Sequence, residues 1–212
     1  FITGVAGFLG ANLAKFYIKK GFKVSGCDNL VGGSLENVDK NVNFYKANCE
    51  DLKKMTKIMK NVDIVCHAAA YAHEGLSSFS PTLICNNNVT GSVSVFTAAI
   101  KNNVKRVIWA SSVHTVGFYP RSKVIDSKAP PRPDSNYGLS KVFGESLAQY
   151  YWDKYKIETV SVRIYSCLAE PKDHRILSTW LSYDDLRNLI IACINSCLLY
   201  TSDAADEGLG VD

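Results

Sequence analysis

Long apolar runs are missing from this 212-residue chain. No stretch reaches the roughly 20 residues that cross a bilayer. No signal-peptide pattern is visible either, so the expectation is a cytoplasmic protein with no membrane partner. The seven cysteines include no CxxC pair. Several stand in apolar, strand-like runs, Cys66 within 62–66 for example. That predicts buried free thiols in a reducing compartment rather than a disulfide framework. His67, His73, His114 and His174 lack metal-ligand spacing, and no metal is expected. An excess of one charge is also lacking, because 24 basic and 20 acidic residues leave +4. The bases are spread over helix-like surfaces (Lys19, Lys20, Lys53, Lys54, Lys57, Lys60) and form no arm. Solvated faces explain them better than nucleic-acid binding.

What is present is ordinary globular composition, 47% hydrophobic and 21% charged, enough for one domain with a sizeable core. Strand and helix signatures alternate. Strands are expected at 1–3, 22–28, 42–49, 62–68, Arg106–Ser112 and 159–164. Helices are expected at 7–20 (stopped by Gly21), 50–60, within 81–103, Asn136–Tyr155 and Tyr183–Asn195, the last capped by Asp184 and Asp185. The run Val62 to Ala68 has little polarity, as a parallel strand buried on both faces should. The alternation predicts an α/β fold with a doubly wound parallel sheet. The Pro-rich stretch 129–133 reads as a stiff loop and not as a domain linker.

Phe1 lies mid-strand, so a few residues of the first strand are expected to precede it. Residues 197–207 read like translated sequencing adapter, and 210–212 could continue it. The expected division is therefore a native domain over 1–196 and a non-native tail over 197–212. The tail carries four acids and no base, so leaving it out raises the charge balance from +4 to +8.

Thr3-Gly4-Val5-Ala6-Gly7-Phe8-Leu9-Gly10 follows a strand and opens a helix, with GxxGxxG spacing. Glycines there serve a tight turn, close approach to a pyrophosphate, and packing of helix on strand. The helix N-terminus offers free N–H groups and positive dipole to phosphates. Glycines alone are a weak signal. Asp28 strengthens it, because a carboxylate at the second strand's end can accept from adenosine ribose hydroxyls. It would also repel a 2′-phosphate, which favours NAD over NADP. The expected NAD site comprises Gly4, Gly7, Phe8, Leu9, Gly10, Asp28 and Asn29, followed by later strand ends at Asn48, Cys49, Ala68, Ala69 and Ala70. Asn88, Tyr137, Lys141 and Ile164 complete the set. The sheet is thus expected to be Rossmann-type.

Tyr137-Gly138-Leu139-Ser140-Lys141 is YxxxK on one face of a helix. A free tyrosine titrates near about 10. A neighbouring ammonium is expected to favour the phenolate and lower that value, which suits proton transfer near neutrality. Tyrosine and lysine four apart often occur by chance. Ser112 raises the weight of the pair, because it ends the fifth strand and faces the same crevice, where its hydroxyl can hold a substrate oxygen.

Together the glycine turn, Asp28, Ser112 and YxxxK resemble the extended short-chain dehydrogenases, the NAD-dependent epimerase/dehydratase superfamily. The resemblance covers essentially residues 1–196. It implies Ser112, Tyr137 and Lys141 as the catalytic set, Lys141 also bonding the nicotinamide ribose. Further substrate-binding chain is implied beyond residue 196. Asn48 stands where many relatives have Asp against the adenine. Residues 110–187 are similar to uronate dehydrogenases, through 110–120, Arg132-Pro133-Asp134, Arg163-Ile164-Tyr165-Ser166-Cys167 and 175–180. Those enzymes oxidise the anomeric carbon of a hexuronic acid. This implies substrate contacts at Ser112, His114, Ser166 and Arg175, where a guanidinium suits a carboxylate. Val113 and Ala72 depart from that pattern, standing where those enzymes carry Asn and Ser. The stretch 71–81 looks more like nucleotide-sugar epimerases. A hybrid enzyme explains the mixture, and so does a chimeric sequence joined near 105–112.

The expected function is NAD-dependent oxidation of a sugar or sugar acid. Hydride passes to the nicotinamide while Tyr137 takes the hydroxyl proton and Ser112 orients the oxygen. A nucleotide-sugar 4-epimerase or dehydratase is the first alternative, and an NAD-sensing module without catalysis the second. The intact Ser112, Tyr137 and Lys141 argue against the second. The expected partner is a small sugar, and a homo-oligomer stays open.

Overall fold

The structure, a computed structural model, describes residues 1–72, 74–75, 77–196 and 200–201. Seven parallel strands form the main sheet in the order β3-β2-β1-β4-β5-β6-β9. They are β1 (Ile2–Thr3), β2 (Ser25–Asp28), β3 (Asn43–Lys46), β4 (Ile64–His67), β5 (Arg106–Ser112), β6 (Glu158–Ile164) and β9 (Tyr200–Thr201). A separate parallel pair joins β7 (Ser166–Cys167) to β8 (Trp180–Leu181). The order reverses between β1 and β4, the switch point at which doubly wound sheets open a ligand crevice.

Both faces of the sheet are covered, and the period-two alternation of the strands divides the core. Val65, Val107 and Trp109 face one side, where Met55, Val95, Phe96 and Ala148 pack. These come from the helices α2 (Leu52–Ile58), α4 (Gly91–Lys101) and α5 (Asn136–Tyr155). Cys66 and Ile108 face the other side, with Leu13, Tyr17, Leu186 and Ile190 of α1 (Phe8–Lys19) and α7 (Tyr183–Asn195). Two short helices, α3 (Pro81–Ile84) and α6 (His174–Leu177), complete the set. No helix among the described residues is long and apolar enough to cross a membrane.

Four expectations need correction. The helix expected within 81–103 is not uniform, because a π-helical stretch, Cys85–Thr90, separates α3 from α4. The start of α7 is capped by Ser182, whose hydroxyl accepts from the Asp185 N–H at 3.0 Å. The acids of its first turn add favourable charge and do not supply the cap. Of the cysteines, Cys27, Cys66 and Cys193 are buried as expected, but Cys49 and Cys167 are half-buried and Cys85 is exposed. Strand β2 is also shorter than expected, beginning at Ser25 and not at Phe22. Most of the expected tail lies outside the described residues. Its Tyr200–Thr201 pairs with Thr159 and Val160 of β6.

Candidate active site

The glycine turn connects β1 to α1 across the carboxyl end of the sheet. Gly4 adopts φ +70, and the N–H groups of Gly4 and Val5 both donate to the Cys27 carbonyl, at 2.8 and 3.2 Å. A Cβ on Gly4 would lie 2.8 Å from the Ala69 Cα, and one on Gly10 2.8 Å from the Val5 Cα. Those two glycines let turn, helix and β4 touch. Gly7 is different: its Cβ would meet only the Gly4 carbonyl oxygen, at 3.3 Å, and it lines the pocket. It also leaves α1 without a capping side chain, and the first turn holds no acid, so N–H groups and dipole remain for an anion.

Asp28 ends β2 and is buried. Its Oδ2 accepts from the Ala6 N–H at 3.0 Å and its Oδ1 from the Leu30 N–H at 2.8 Å. Two backbone donors thus fix the carboxylate, and each oxygen keeps capacity for a ligand hydroxyl. The loop after β2 closes this end, with Gly33 packed on Ala6 so tightly that a Cβ would stand 2.8 Å from its carbonyl carbon.

A buried hydrogen-bond chain then runs from the turn toward the chemistry. The Thr3 hydroxyl accepts from the Ala69 N–H at 3.1 Å and meets His67 Nδ1 at 2.7 Å. His67 Nε2 meets the Ser92 hydroxyl at 3.1 Å, and Ser92 donates to the Asn88 carbonyl. Asn88 Nδ2 donates to the Ser140 hydroxyl at 3.0 Å, which donates to the Tyr137 carbonyl at 2.7 Å. Burial, reinforced by the Lys141 charge, pulls His67 down to about 3, so it is neutral.

Ser112 closes β5, and its hydroxyl accepts from the His114 N–H at 3.3 Å. Tyr137 and Lys141 occupy the first two turns of α5, which Ser135 caps by accepting from the Gly138 N–H at 3.0 Å. Lys141 is fully buried. Its Nζ donates to the Ala110 carbonyl at 2.7 Å and lies 4.5 Å from the Trp109 ring centre and 5.5 Å from that of Tyr137. Burial lowers it to about 7. Burial also raises Tyr137, and a hydrogen bond with Ser112 offsets part of that. This corrects the expected direction. Lys141 sits over the aromatic ring and bonds a carbonyl, so desolvation dominates the phenol.

These groups surround one cavity of about 630 Å³. It brings together Gly4, Gly7, Phe8, Leu9, Gly10, Asp28, Asn29, Asn48, Cys49, Ala68, Ala69, Ala70, Ser112, His114, Tyr137, Lys141, Ile164 and Ser166. Two expected residues lie outside the lining. Asn88 is buried behind it and grips the backbone of Tyr71, whose N–H donates to Oδ1 at 2.8 Å. Arg175 is exposed on α6. The Ser166 hydroxyl lines the pocket while bonded to the Thr179 hydroxyl at 3.0 Å. Tyr71, Asn87, Tyr165 and the loop at 31–33 also line it, beyond the residues expected from the sequence. The paired Gly32-Gly33 just after Asp28 was an available signal for that loop. Among the described residues no group of three His, Cys, Asp or Glu side chains could hold a metal ion.

The sequence profile of the NAD dependent epimerase/dehydratase family matches residues 1–183. A uronate dehydrogenase from Pseudomonas syringae pv. tomato is 43% identical over 154 residues, 72% of this chain and 52% of the relative. A putative UDP-glucose 4-epimerase from Methanocaldococcus jannaschii is 31% identical over 173 residues, 81% of this chain and 57% of the relative. The chain therefore spans about half the length of the curated relatives it matches. Among solved structures, one described as a mutated uronate dehydrogenase superposes with TM-score 0.84 at 35% identity, covering 94% of this chain and 71% of that one.

Proposed function

The chain belongs to the NAD dependent epimerase/dehydratase family, and from that premise we propose that it binds NAD and oxidises a hydroxyl-bearing carbon of a sugar or sugar acid, in the manner of the uronate dehydrogenases. One observation carries this reading: Ser112, Tyr137 and Lys141 converge on the same cavity as the glycine turn and Asp28. The residues present fit the cofactor. Gly7 leaves room at an uncapped helix end for the pyrophosphate, and the fixed Asp28 carboxylate can take the adenosine ribose hydroxyls. NAD, when bound, supplies the two-electron acceptor.

The chain's own residues handle the proton. Ser112 lines the same pocket as Tyr137 and holds the substrate oxygen. Tyr137 takes the hydroxyl proton as its phenolate, the form that burial disfavours in the free chain and that the positive charges of Lys141 and of bound NAD would favour. The Lys141 ammonium stands between the Tyr137 and Trp109 rings and is directed at the Ala110 carbonyl. From there it can reach a ribose hydroxyl. His114 and Ser166 lie on the substrate side.

The test follows reduced cofactor in solution. Glucuronate or galacturonate with NAD should yield reduced cofactor stoichiometrically, and UDP-sugars should not. Interconversion of UDP-sugars without net reduction would replace this reading with a 4-epimerase. Tyr137→Phe should lower turnover about 10²- to 10⁴-fold while NAD binding persists. Unchanged turnover in that variant removes Tyr137 from its role.

A further inference from the structure

A second hydrogen-bonded pair flanks the pocket, and one member of it, Asp134, has no part in the chemistry assigned so far. His114 lies two residues beyond Ser112, in the short 3₁₀ turn Val113–Thr115. It lines the pocket, and its ring stands edge-on to Tyr137 with centres 5.9 Å apart. Its Nδ1 is 3.0 and 2.9 Å from the two carboxylate oxygens of Asp134. Asp134 is itself held in place. The Ser135 hydroxyl donates to its Oδ1 at 3.2 Å, and its N–H donates to the His114 carbonyl at 3.4 Å. Gly117 leaves the space its carboxylate fills, since a Cβ there would fall on Oδ2.

A carboxylate only accepts hydrogen bonds. A neutral imidazole that faces one through Nδ1 therefore carries its proton on Nδ1 and keeps a lone pair on Nε2. Nδ1 is committed to Asp134, so Nε2 is the ring nitrogen left for the pocket. We propose that Asp134 is a positioning residue, fixing His114 in the Nδ1–H tautomer so that Nε2 accepts a hydrogen bond from a substrate hydroxyl beside the one Tyr137 deprotonates. This rests on the sugar-oxidising reading and narrows it: the ligand must offer a hydroxyl donor at that place, next to the reacting carbon. With side-chain exposures of 30% and 24%, the pair gains little as an ion pair, and its value lies in orientation.

The first measurement needs no variant. Long-range proton–nitrogen spectra of the histidine-labelled 212-residue chain, taken where imidazole is neutral, should show His114 as the Nδ1–H tautomer. In Asp134→Asn, an amide of the same shape can turn its NH₂ toward the ring, and the signature should move toward Nε2–H. The sugar KM should rise about tenfold, the size of one hydrogen bond, with NAD affinity unchanged. An Nε2–H tautomer in the parent chain overturns the proposal, and so does an Asp134→Asn variant with unchanged tautomer and KM. If the parent chain oxidises no sugar, the functional reading fails by itself, and the tautomer still decides the role of Asp134.

Discussion

His67 shows how burial converts one side chain into a pH liability. Its folded value of about 3 lies well below the ordinary histidine value of 6.5. Below pH 6.5 the unfolded chain takes up a proton that the folded chain refuses until about pH 3. Stability should therefore fall as pH drops through that window, by about 1.4 kcal/mol per unit. Urea unfolding between pH 7 and 4 reads this directly. His67→Gln should lose that part of the slope, and equal slopes in both proteins would exclude His67 as its source. At this scale the meeting of Ser112, Tyr137 and Lys141 at one cavity was legible, because each combines a residue type with a strand or helix end. The direction of the Tyr137 shift was not, because a four-residue spacing says nothing about how deeply the phenol is buried or that Lys141 bonds Ala110.

The unit of argument for α1 is the turn and helix together, and its glycines should separate experimentally. Gly10→Ala drives a methyl into the Gly4–Val5 backbone, so it should cost about 1–3 kcal/mol in chemical denaturation and weaken NAD binding as well. Gly7→Ala meets one oxygen at 3.3 Å and should leave stability nearly intact while NAD affinity falls. Equal stability losses in the two variants would contradict the division of labour. The bounds of β5, α5 and α7 were legible to the residue, although the cap of α7 was expected at Asp184 and Asp185 and lies at Ser182. Strand β2 lost Phe22 to Val24 because apolar character does not distinguish a paired strand from the approach to it. The π-helical stretch was invisible, since residues 85–90 contain no breaker.

For the whole molecule the alternation of strands and helices was enough to anticipate a doubly wound parallel sheet, because buried parallel strands read as apolar runs. The crevice at the β1/β4 switch point followed from the topology. What could not follow was the rest of the wall: Tyr71, Asn87 and Tyr165 reach the pocket through the packing of distant segments. NAD binding should raise the stability of the entire sheet, by about 2.7 kcal/mol at one hundred times its Kd. A thermal shift should register it for NAD and much less for NADP, since the Asp28 carboxylate proposed to take the adenosine ribose hydroxyls would repel a 2′-phosphate. A larger shift with NADP would contradict that placement of Asp28.

The stretch Cys85–Thr90 has a further consequence for the long rod that contains it. A wider turn there offsets the angular phase of everything after it relative to what came before. The downstream half is indexed to α2, where Asn102 Nδ2 donates to the Thr56 carbonyl at 3.0 Å. Asn88 sits at the offset itself, clasping Tyr71 on one side and Ser140 on the other. The rod works like two gears keyed one tooth apart on a single shaft, so its fit depends on residue count before it depends on residue type.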